Sequence, residues 1–332
     1  MSGAHLVCAL LKQGHKIRAA KYGDEDENIT KKCLSFYFDD YENLFSEIEW
    51  VDVSRCDIFS LTEAMQEVKT VFYCLRPALN TKRTLEDNIE EIRSVLNAAR
   101  EAQIGYFYYI STLDALGYES DYKEITEDTQ RNPKGNYPAV SDLEYRCETE
   151  VFRALNEDLK GSVLNTGIIL GPGDWKSDSS RMFSLSMTWG YYTKGVTGFV
   201  GVYDVIKCLL ALERKKICGE RFIAVSENLS YHQIMKIITQ KFGIKEPLKF
   251  AGKFRLAVYK CCYIVKSLLT GRRPVADTAY FNRITSFNIY SNKKSIGRLI
   301  VNYEDIESVI EKICNIYVKD NIPEIKKIYK FA

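Results

Sequence analysis

Short apolar runs alternate with helical patterns along the first two-thirds of the chain, and this alternation constrains the fold more than any other feature. The predicted strands are "HKIRAAKY", "SEIEWVDVSRCD" (ending in Asp57), "TVFYCL", "GYFYYIST" and "GSVLNTGIIL". The predicted helices are "SLTEAMQEV", "LEDNIEEIRSVLNAAREAQ" and "SDLEYRCETEVFRAL", the first with Ser60 as its N-cap and Glu63 completing a capping box. Strands and helices that alternate in this way form a parallel sheet with helices on both faces. The sequence therefore predicts an α/β fold with a doubly wound parallel sheet.

The start of the chain departs from this pattern. It opens on a helical segment, "HLVCALLKQG", with Gly14 as a plausible C-cap, whereas a doubly wound nucleotide-binding fold opens on a strand and a glycine-rich turn. We therefore expect the first strand and the glycine-rich turn to be missing, with Gly3 as the last remnant of the turn. That strand is central in the usual order, so its two neighbours would present unpaired edges. The expected outcome is either poor solubility or a gap closed by slippage of those neighbours.

The pattern changes after about residue 225, where it becomes mostly helical with a short strand-like patch at "ITSFNIY". This change predicts a second, smaller domain. We assign residues 1–165 plus about 199–225 to the sheet domain. Residues 166–198 plus about 226–332 are assigned to a smaller substrate or cap domain.

Charge and cysteine usage narrow the functional class. The 332 residues include 46 basic and 44 acidic side chains, a balance that favours neither a nucleic-acid nor a membrane partner. The ten cysteines include no CxxC pair and no Cys/His cluster with metal-ligand spacing. We therefore expect reduced core cysteines, no metal site and a cytoplasmic location. We also expect no signal peptide, and the apolar stretch "FRLAVYKCCYIVKSLL" is too short and too charged to span a bilayer, so it predicts an amphipathic helix.

In their order along the chain, these segments resemble the extended short-chain dehydrogenase/reductase family. The resemblance is to its NAD(P)-dependent epimerase/dehydratase group and, within that, to the dihydroflavonol-reductase-like branch. The matching segments are "SGAHLVCALLKQGHKIRAA", "CDIFSLTEAMQEVKTVFYCLRP", "NIEEIRSVLNAAREAQIGYFYYISTLDALG", "VLNTGIILGPGDW", "GFVGVYDVIKCLLAL" and "GERFIAVSENLSYHQIMKII". The resemblance implies a Rossmann-like fold, NAD or NADP as cofactor, and hydride transfer at a carbonyl or secondary alcohol of a small molecule. It also implies a homodimer.

The resemblance implies catalytic roles for two residues. A Ser/Thr after the fifth strand holds the substrate oxygen in active members, and Thr112 takes this position, five residues before Gly117. A tyrosine serves as the general acid/base, and Tyr137 lies 25 residues beyond Thr112, the usual separation. A lysine four residues further lowers the tyrosine pKa from its free value of about 10, because a nearby cation stabilises the phenolate.

The lysine position is where the chain departs from the family. Counting from Tyr137, Ser141 stands there; a competing register without a gap puts Val140 at the tyrosine position and Glu144 at the lysine position. No lysine occurs between Lys134 and Lys160. Either register predicts impaired catalysis. The alternative function is that of a non-catalytic pseudoenzyme, whether a binding or scaffold protein or the product of a decaying gene.

The cofactor positions are only partly filled. By resemblance, Gly3 belongs to the phosphate-binding turn, and Asp57 with Ile58 matches the position that meets the adenine. Lys21, just past the second strand, favours a 2′-phosphate and hence NADP. Leu75, like Arg76 after it, replaces a small residue beside the cofactor.

A second glycine-containing segment, "GPGDWKSDSSRMF", matches the family after the sixth strand. Within it, Arg181 is the candidate for a contact with substrate or phosphate, with a structural ion pair as the alternative. Asn165–Gly167 replaces a proline-containing turn.

Overall fold

The computed structural model describes most of the chain. It does not describe residues 24–26, 78–82, 118–123, 133, 136, 176–179, 189–190, 246–248, 253–254, 259–260, 262–283 and 321–332. Most of the predicted helix "FRLAVYKCCYIVKSLL" therefore lies outside the described residues. Within them, no helix combines the length and the apolar character that a membrane crossing needs.

Helices and strands alternate along the described chain. The helices are α1 (Ser2–Lys12), α2 (Asn28–Leu34), α3 (Tyr41–Ser46), α4 (Ile58–Met65), α5 (Leu85–Glu101), α6 (Ala139–Glu157), α7 (Arg181–Thr188), α8 (Val202–Lys215), α9 (Tyr231–Lys241) and α10 (Ile306–Asp320). The strands are β1 (Arg18–Lys21), β2 (Glu49–Asp52), β3 (Thr70–Tyr73), β4 (Tyr106–Thr112), β5 (Glu124–Ile125), β6 (Gly161–Thr166), β7 (Ile168–Leu170), β8 (Tyr191–Tyr192), β9 (Val196–Gly201), β10 (Glu220–Ala224), β11 (Glu227–Ser230), β12 (Lys249–Phe250) and β13 (Ile289–Tyr290).

The largest sheet has four parallel strands in the order β10-β6-β4-β3, which confirms the predicted α/β architecture. Alternation along β4 sends Phe107 and Tyr109 into the core beneath α5 and α6, and Tyr108 and Ile110 into the core beneath α8. The ring of Tyr109 stacks on that of Tyr73 at 5.6 Å. β4 lies between β6 and β3 and buries large aromatic side chains on both of its faces, as expected of an interior strand of a parallel sheet.

The sheet is split where the first strand would lie. In the described residues β1 pairs only with β2, in parallel, and β3 pairs only with β4. The slippage that the sequence analysis offered as one outcome is therefore wrong for these residues, because β1 and β3 belong to separate sheets. Arg18 ties β1 to the end of α4, since its guanidinium donates to the carbonyls of Ala64 (3.2 Å) and Gln66 (2.7 Å).

Two sequence predictions of local structure need correction. Asp57, not Ser60, is the N-cap of α4: its carboxylate accepts from the Phe59 N–H at 3.1 Å, while the Ser60 hydroxyl bonds back to the Asp57 carbonyl. The single predicted strand "GSVLNTGIIL" is two strands, β6 and β7, that join different sheets. Gly167 separates them at a point where a Cβ would lie 2.6 Å from the Gly198 carbonyl oxygen.

A second core forms around the three-stranded sheet β11-β9-β7. Helices α7, α9 and α10 cover it and bury Phe183, Phe199, Ile234 and Ile310. The short strand β13 pairs with β5, so the "ITSFNIY" segment contributes a strand, as its pattern predicts.

Because β1 lies outside the large sheet, we predict that its backbone amides are less protected from exchange with solvent than those at the centre of the large sheet. Amides of Arg18–Lys21 should exchange with solvent more than about tenfold faster than those of Gly161–Thr166, because β6 has a strand on both sides and β1 on one. Hydrogen exchange read by mass spectrometry measures this, with β10 as an edge strand for comparison. Protection of β1 equal to that of β6 would contradict the prediction.

Candidate functional site

A cavity of about 260 Å³ lies at the carboxyl ends of β3 and β4, beside α5 and α6. In open parallel sheets this edge is where ligands bind. The lining residues are Arg55, Tyr73, Leu75, Arg76, Pro77, Arg83, Asn88, Glu91, Ile92, Tyr109 and Cys147. Strands β3 and β4 supply the tyrosines, the loop after β3 supplies Arg76 and Arg83, and the loop after β2, in the separate sheet, supplies Arg55.

One arginine joins three elements beside this cavity. The guanidinium of Arg76, after β3, donates from Nε to Glu144 on α6 (2.8 Å) and lies 3.2 Å from Asp114 through Nη2. The Glu144 side chain is 1% exposed. A carboxylate that is this deeply buried requires such a partner, because an isolated charge in the interior is strongly disfavoured. The lysine position of the gapless register therefore holds an anion that an arginine from the loop after β3 neutralises.

Ser141, which stands at the lysine position in the register counted from Tyr137, also has a structural hydrogen bond. Its hydroxyl donates to the Asp114 carbonyl at 2.6 Å, and the residue is buried. Ser141 and Glu144 thus both face the turn Leu113–Leu116 that follows β4. Neither register places a cation of α6 at this point.

Thr112 and Tyr137 are not hydrogen-bonded to each other. The Thr112 hydroxyl is buried and has no hydrogen-bond partner among the described residues. The Tyr137 hydroxyl accepts from the Asn132 N–H at 3.0 Å, and the Arg131 guanidinium stacks on its ring at 3.8 Å. Tyr137 precedes α6 and packs against Gly117, whose φ of +84° and close contact with the ring exclude a side chain. Thr112 therefore precedes the turn Leu113–Leu116, whereas Tyr137 packs against Gly117 just after it, and the two predicted catalytic residues make separate contacts.

The structure also contains a buried polar network that the sequence analysis missed. The Glu148 carboxylate accepts from the Ser111 hydroxyl and the Asn165 amide, both at 2.6 Å, and forms a salt bridge with Arg221. Asn165 also donates to the Thr112 carbonyl at 3.2 Å. Glu148 stands one turn beyond Glu144 on α6, and that spacing was the available signal, since residues four apart share a helix face. The network fixes the end of β4 and with it Thr112.

The residues that the sequence predicts to contact the cofactor lie near the separation between the β1-β2 sheet and the large sheet. The Lys21 ammonium is held by Glu27 and lies 3.6 Å from Asp52; the hydrogen bond to Glu27 raises the Lys21 pKa. Asp57 caps α4, as described above, and Ile58 follows it at 38% exposure.

Gly3 lies in α1 rather than in a turn, and a Cβ there would be 3.4 Å from the Cβ of Cys74. Among these candidates, only Leu75 lines the cavity. Arg181 is the first residue of α7, and its side chain lies outside the described residues.

The "GPGD" segment contacts α1 through His5. The Pro172 carbonyl can only accept, so Nε2 of His5 carries the proton that it donates there at 2.8 Å, and Nδ1 accepts from the Tyr37 hydroxyl at 2.5 Å. Burial lowers the pKa of His5 from 6.5 to about 4. His5 is therefore neutral at physiological pH and is a structural contact between α1 and this segment.

The family comparison decides the identity of this scaffold. The family described as "NAD dependent epimerase/dehydratase family" matches residues 1–188, more than half of the 332 residues. The chain belongs to this family. No curated protein sequence matches the chain.

Solved structures share the fold over nearly the whole chain. The structure of gox2253 has a TM-score of 0.78 at 20% identity and covers 97% of this chain and 96% of that chain. A nucleoside-diphosphate-sugar epimerase from Pseudomonas aeruginosa has a TM-score of 0.73 at 14% identity, with 96% and 94% covered. A UDP-glucose 4-epimerase from Thermotoga maritima has a TM-score of 0.71 at 16% identity, with 96% of each chain covered.

NAD or NADP is the cofactor that membership of an NAD dependent family implies, but the described residues do not fit a whole dinucleotide. The cavity of about 260 Å³ falls below the range of roughly 300–1,000 Å³ for pockets that take drug-sized ligands, and a dinucleotide is larger than these. Lys21 and Asp57, the expected contacts, are already bound to neighbouring groups. No reaction step through the cofactor follows from these residues.

We predict that Glu144→Gln destabilises the protein by about 1–3 kcal/mol, because it removes a charged partner of Arg76 inside the protein. Chemical denaturation measures the change in the free energy of unfolding. Glu157→Gln on the same helix is the control: its carboxylate pairs with Arg100 and Arg153 at the surface, where ion pairs contribute less than about 1 kcal/mol. Equal losses in the two variants would contradict the assigned role of Glu144.

A second prediction concerns the stability of the protein at acidic pH. The folded pKa of His5, about 4, lies below the unfolded value of 6.5, so the unfolded chain binds the proton more readily and stability falls as pH drops from about 6.5 to 4. Between pH 7 and pH 4.5 this loss should reach about 2–3 kcal/mol. His5→Gln should flatten that part of the pH profile, whereas His15→Gln, at an exposed position, should leave it unchanged. Parallel profiles for wild type and His5→Gln would contradict the prediction.

Proposed function

We propose that this chain is a non-catalytic member of the NAD dependent epimerase/dehydratase family that binds a small molecule at the edge of its large sheet. The observation that carries this proposal is the buried Glu144 carboxylate in its salt bridge with Arg76. In the gapless register this position corresponds to the family's lysine, whose charge tunes the catalytic tyrosine. A carboxylate has the opposite effect on a neighbouring phenol, since it raises the pKa and makes proton transfer at neutral pH less efficient.

Tyr109 gives a local example of this effect in the same cavity. Burial, followed by the charge of Glu144, raises its pKa well above 10. A phenol in such surroundings is a hydrogen-bond donor and not an acid/base catalyst. In the gapless register the general acid itself is replaced by Val140, which has no proton to transfer.

Tyr137 supports the proposal from the other register. Its hydroxyl accepts from a backbone N–H and its ring is stacked on Arg131, so both its polar and its apolar parts have structural contacts. A general acid needs to reach the reacting oxygen, within about 3.2 Å or through one water. The Thr112 hydroxyl, which would hold that oxygen by family resemblance, is not hydrogen-bonded to the Tyr137 hydroxyl.

A second candidate function is NAD(P)-dependent reduction or oxidation at a carbonyl or secondary alcohol by hydride transfer. The specific observation in its favour is the Thr112 hydroxyl, which is buried at the end of β4 without a partner in the described residues. In this candidate two arginines supply the cations near the lysine position: Arg76, which pairs with Glu144, and Arg131, which donates to the Ser141 carbonyl at 2.9 Å and stacks on Tyr137.

Location and assembly follow by analogy. Free cysteines throughout the described part of the chain are consistent with a reducing compartment such as the cytoplasm. Family resemblance suggests a homodimer formed through the helix that corresponds to α6.

The deciding experiment measures cofactor binding and turnover separately. The wild-type protein is titrated with NADH and NADPH by nicotinamide fluorescence, and then incubated with small carbonyl compounds or with UDP-glucose, the sugar nucleotide named with the Thermotoga maritima epimerase. We expect no turnover. Turnover by the wild-type protein would overturn the proposal. Loss of that turnover in Tyr137→Phe would identify Tyr137 as the acid/base, and its loss in Arg76→Gln would favour the second candidate with Arg76 as a cation.

A further inference from the structure

The cavity beneath α5 has a polar mouth and a buried interior. Arg55 and Arg76 have side chains that are 39% and 44% exposed, so their guanidinium groups lie at the opening. Ile92, Tyr109 and Cys147 lie on the inside and are each at most 2% exposed. A molecule that enters would meet charge first and apolar surface afterwards.

The lining contains three arginines, and each of them is paired with a carboxylate. Arg55 and Arg83 pair with Glu91, and Arg76 pairs with Glu144 and Asp114. Glu91 is 4% exposed and bridges Arg55 (2.7 Å) and Arg83, which holds two loops against α5. A guanidinium has five N–H donors in a planar fork and suits carboxylate and phosphate groups. The partly exposed guanidinium groups of Arg55 and Arg76 therefore present N–H donors to an anion at the opening.

One hydroxyl in the interior lacks a partner. Tyr109 is 1% exposed and lines the cavity, and its hydroxyl makes no hydrogen bond in the described part of the chain. A buried polar group left without a partner is costly, so native proteins satisfy nearly all of them. The contrast with Tyr108 is direct, because that neighbour points to the opposite face and donates to the Leu212 carbonyl at 3.1 Å. Tyr109 is thus a donor without an acceptor inside a cavity.

We propose that this cavity binds a small organic anion, a phosphate monoester or carboxylate with a compact apolar body, in place of a dinucleotide. Arg55 and Arg76 receive the anionic group at the mouth, Ile92 and Leu75 contact the apolar body, and the Tyr109 hydroxyl donates to an acceptor atom inside. The volume of about 260 Å³ limits the ligand to roughly the size of one ring with its substituents. This inference rests on the proposed binding function and names the ligand class of that site.

Phenyl phosphate and benzoate are the probes, and benzyl alcohol is their neutral counterpart. Isothermal titration should show binding of one or both anions and none of the alcohol. Tyr109→Phe should weaken anion binding about fivefold or more, the effect of one hydrogen bond, and should raise the melting temperature of the ligand-free protein, because it removes an unpaired buried hydroxyl. Arg55→Gln should weaken binding further.

Tyr108→Phe is the matched control. It removes one hydroxyl from the same strand on the opposite face, so it should lower the melting temperature and leave the Kd for phenyl phosphate unchanged. Absence of anion binding, or equal Kd values for wild type and Tyr109→Phe, would overturn the inference.

Competition with NADH separates the two proposals. Failure of both the anions and NADH to bind would overturn this inference and leave the absence of catalysis standing. NADH binding at micromolar concentration that displaces phenyl phosphate would assign the cavity to the dinucleotide and overturn this inference, and turnover in the same sample would overturn the proposed function as well.

Discussion

The salt bridges of Arg76 with Glu144 and Asp114 are the interaction on which the site depends. They connect the loop after β3, the helix α6 and the turn after β4 at one point. The two carboxylates are buried and the arginine is partly exposed, so removal of Arg76 would leave two buried charges without compensation. The charges at positions 76 and 144 therefore depend on each other, and in the gapless register Glu144 keeps the lysine position anionic.

The split sheet is the second constraint on function. Because β1 and β3 belong to separate sheets, side-chain contacts connect the two halves: Arg18 with the end of α4, and Arg55 with Glu91 on α5. The second of these contacts lies on the wall of the cavity. The Arg55–Glu91 contact that connects the two halves is thus also part of the candidate binding site.

Local periodicity predicted most of the helices and strands because the burial of one face is encoded in residue spacing. Periodicity gave the wrong result where the boundary of a helix or strand depended on contacts distant in sequence, or on which of two nearby residues caps the helix. Asp57 and Ser60 are both good N-caps three residues apart, and only the path of the backbone selects Asp57. The turn at Gly167 depends on the close approach of Gly198, which no local pattern reveals.

The amino-acid sequence by itself determined the α/β class, the family and the loss of lysine from the helix that should carry it, because these are properties of residue order and spacing. Only the tertiary structure decided that Arg76 neutralises Glu144, that Glu148 organises a buried network with Arg221, and that Tyr109 faces a cavity without a partner. The two ion pairs among these contacts join residues that are 68 and 73 positions apart. Pairing over such distances depends on how the strands and helices pack, and no spacing rule in the chain specifies it.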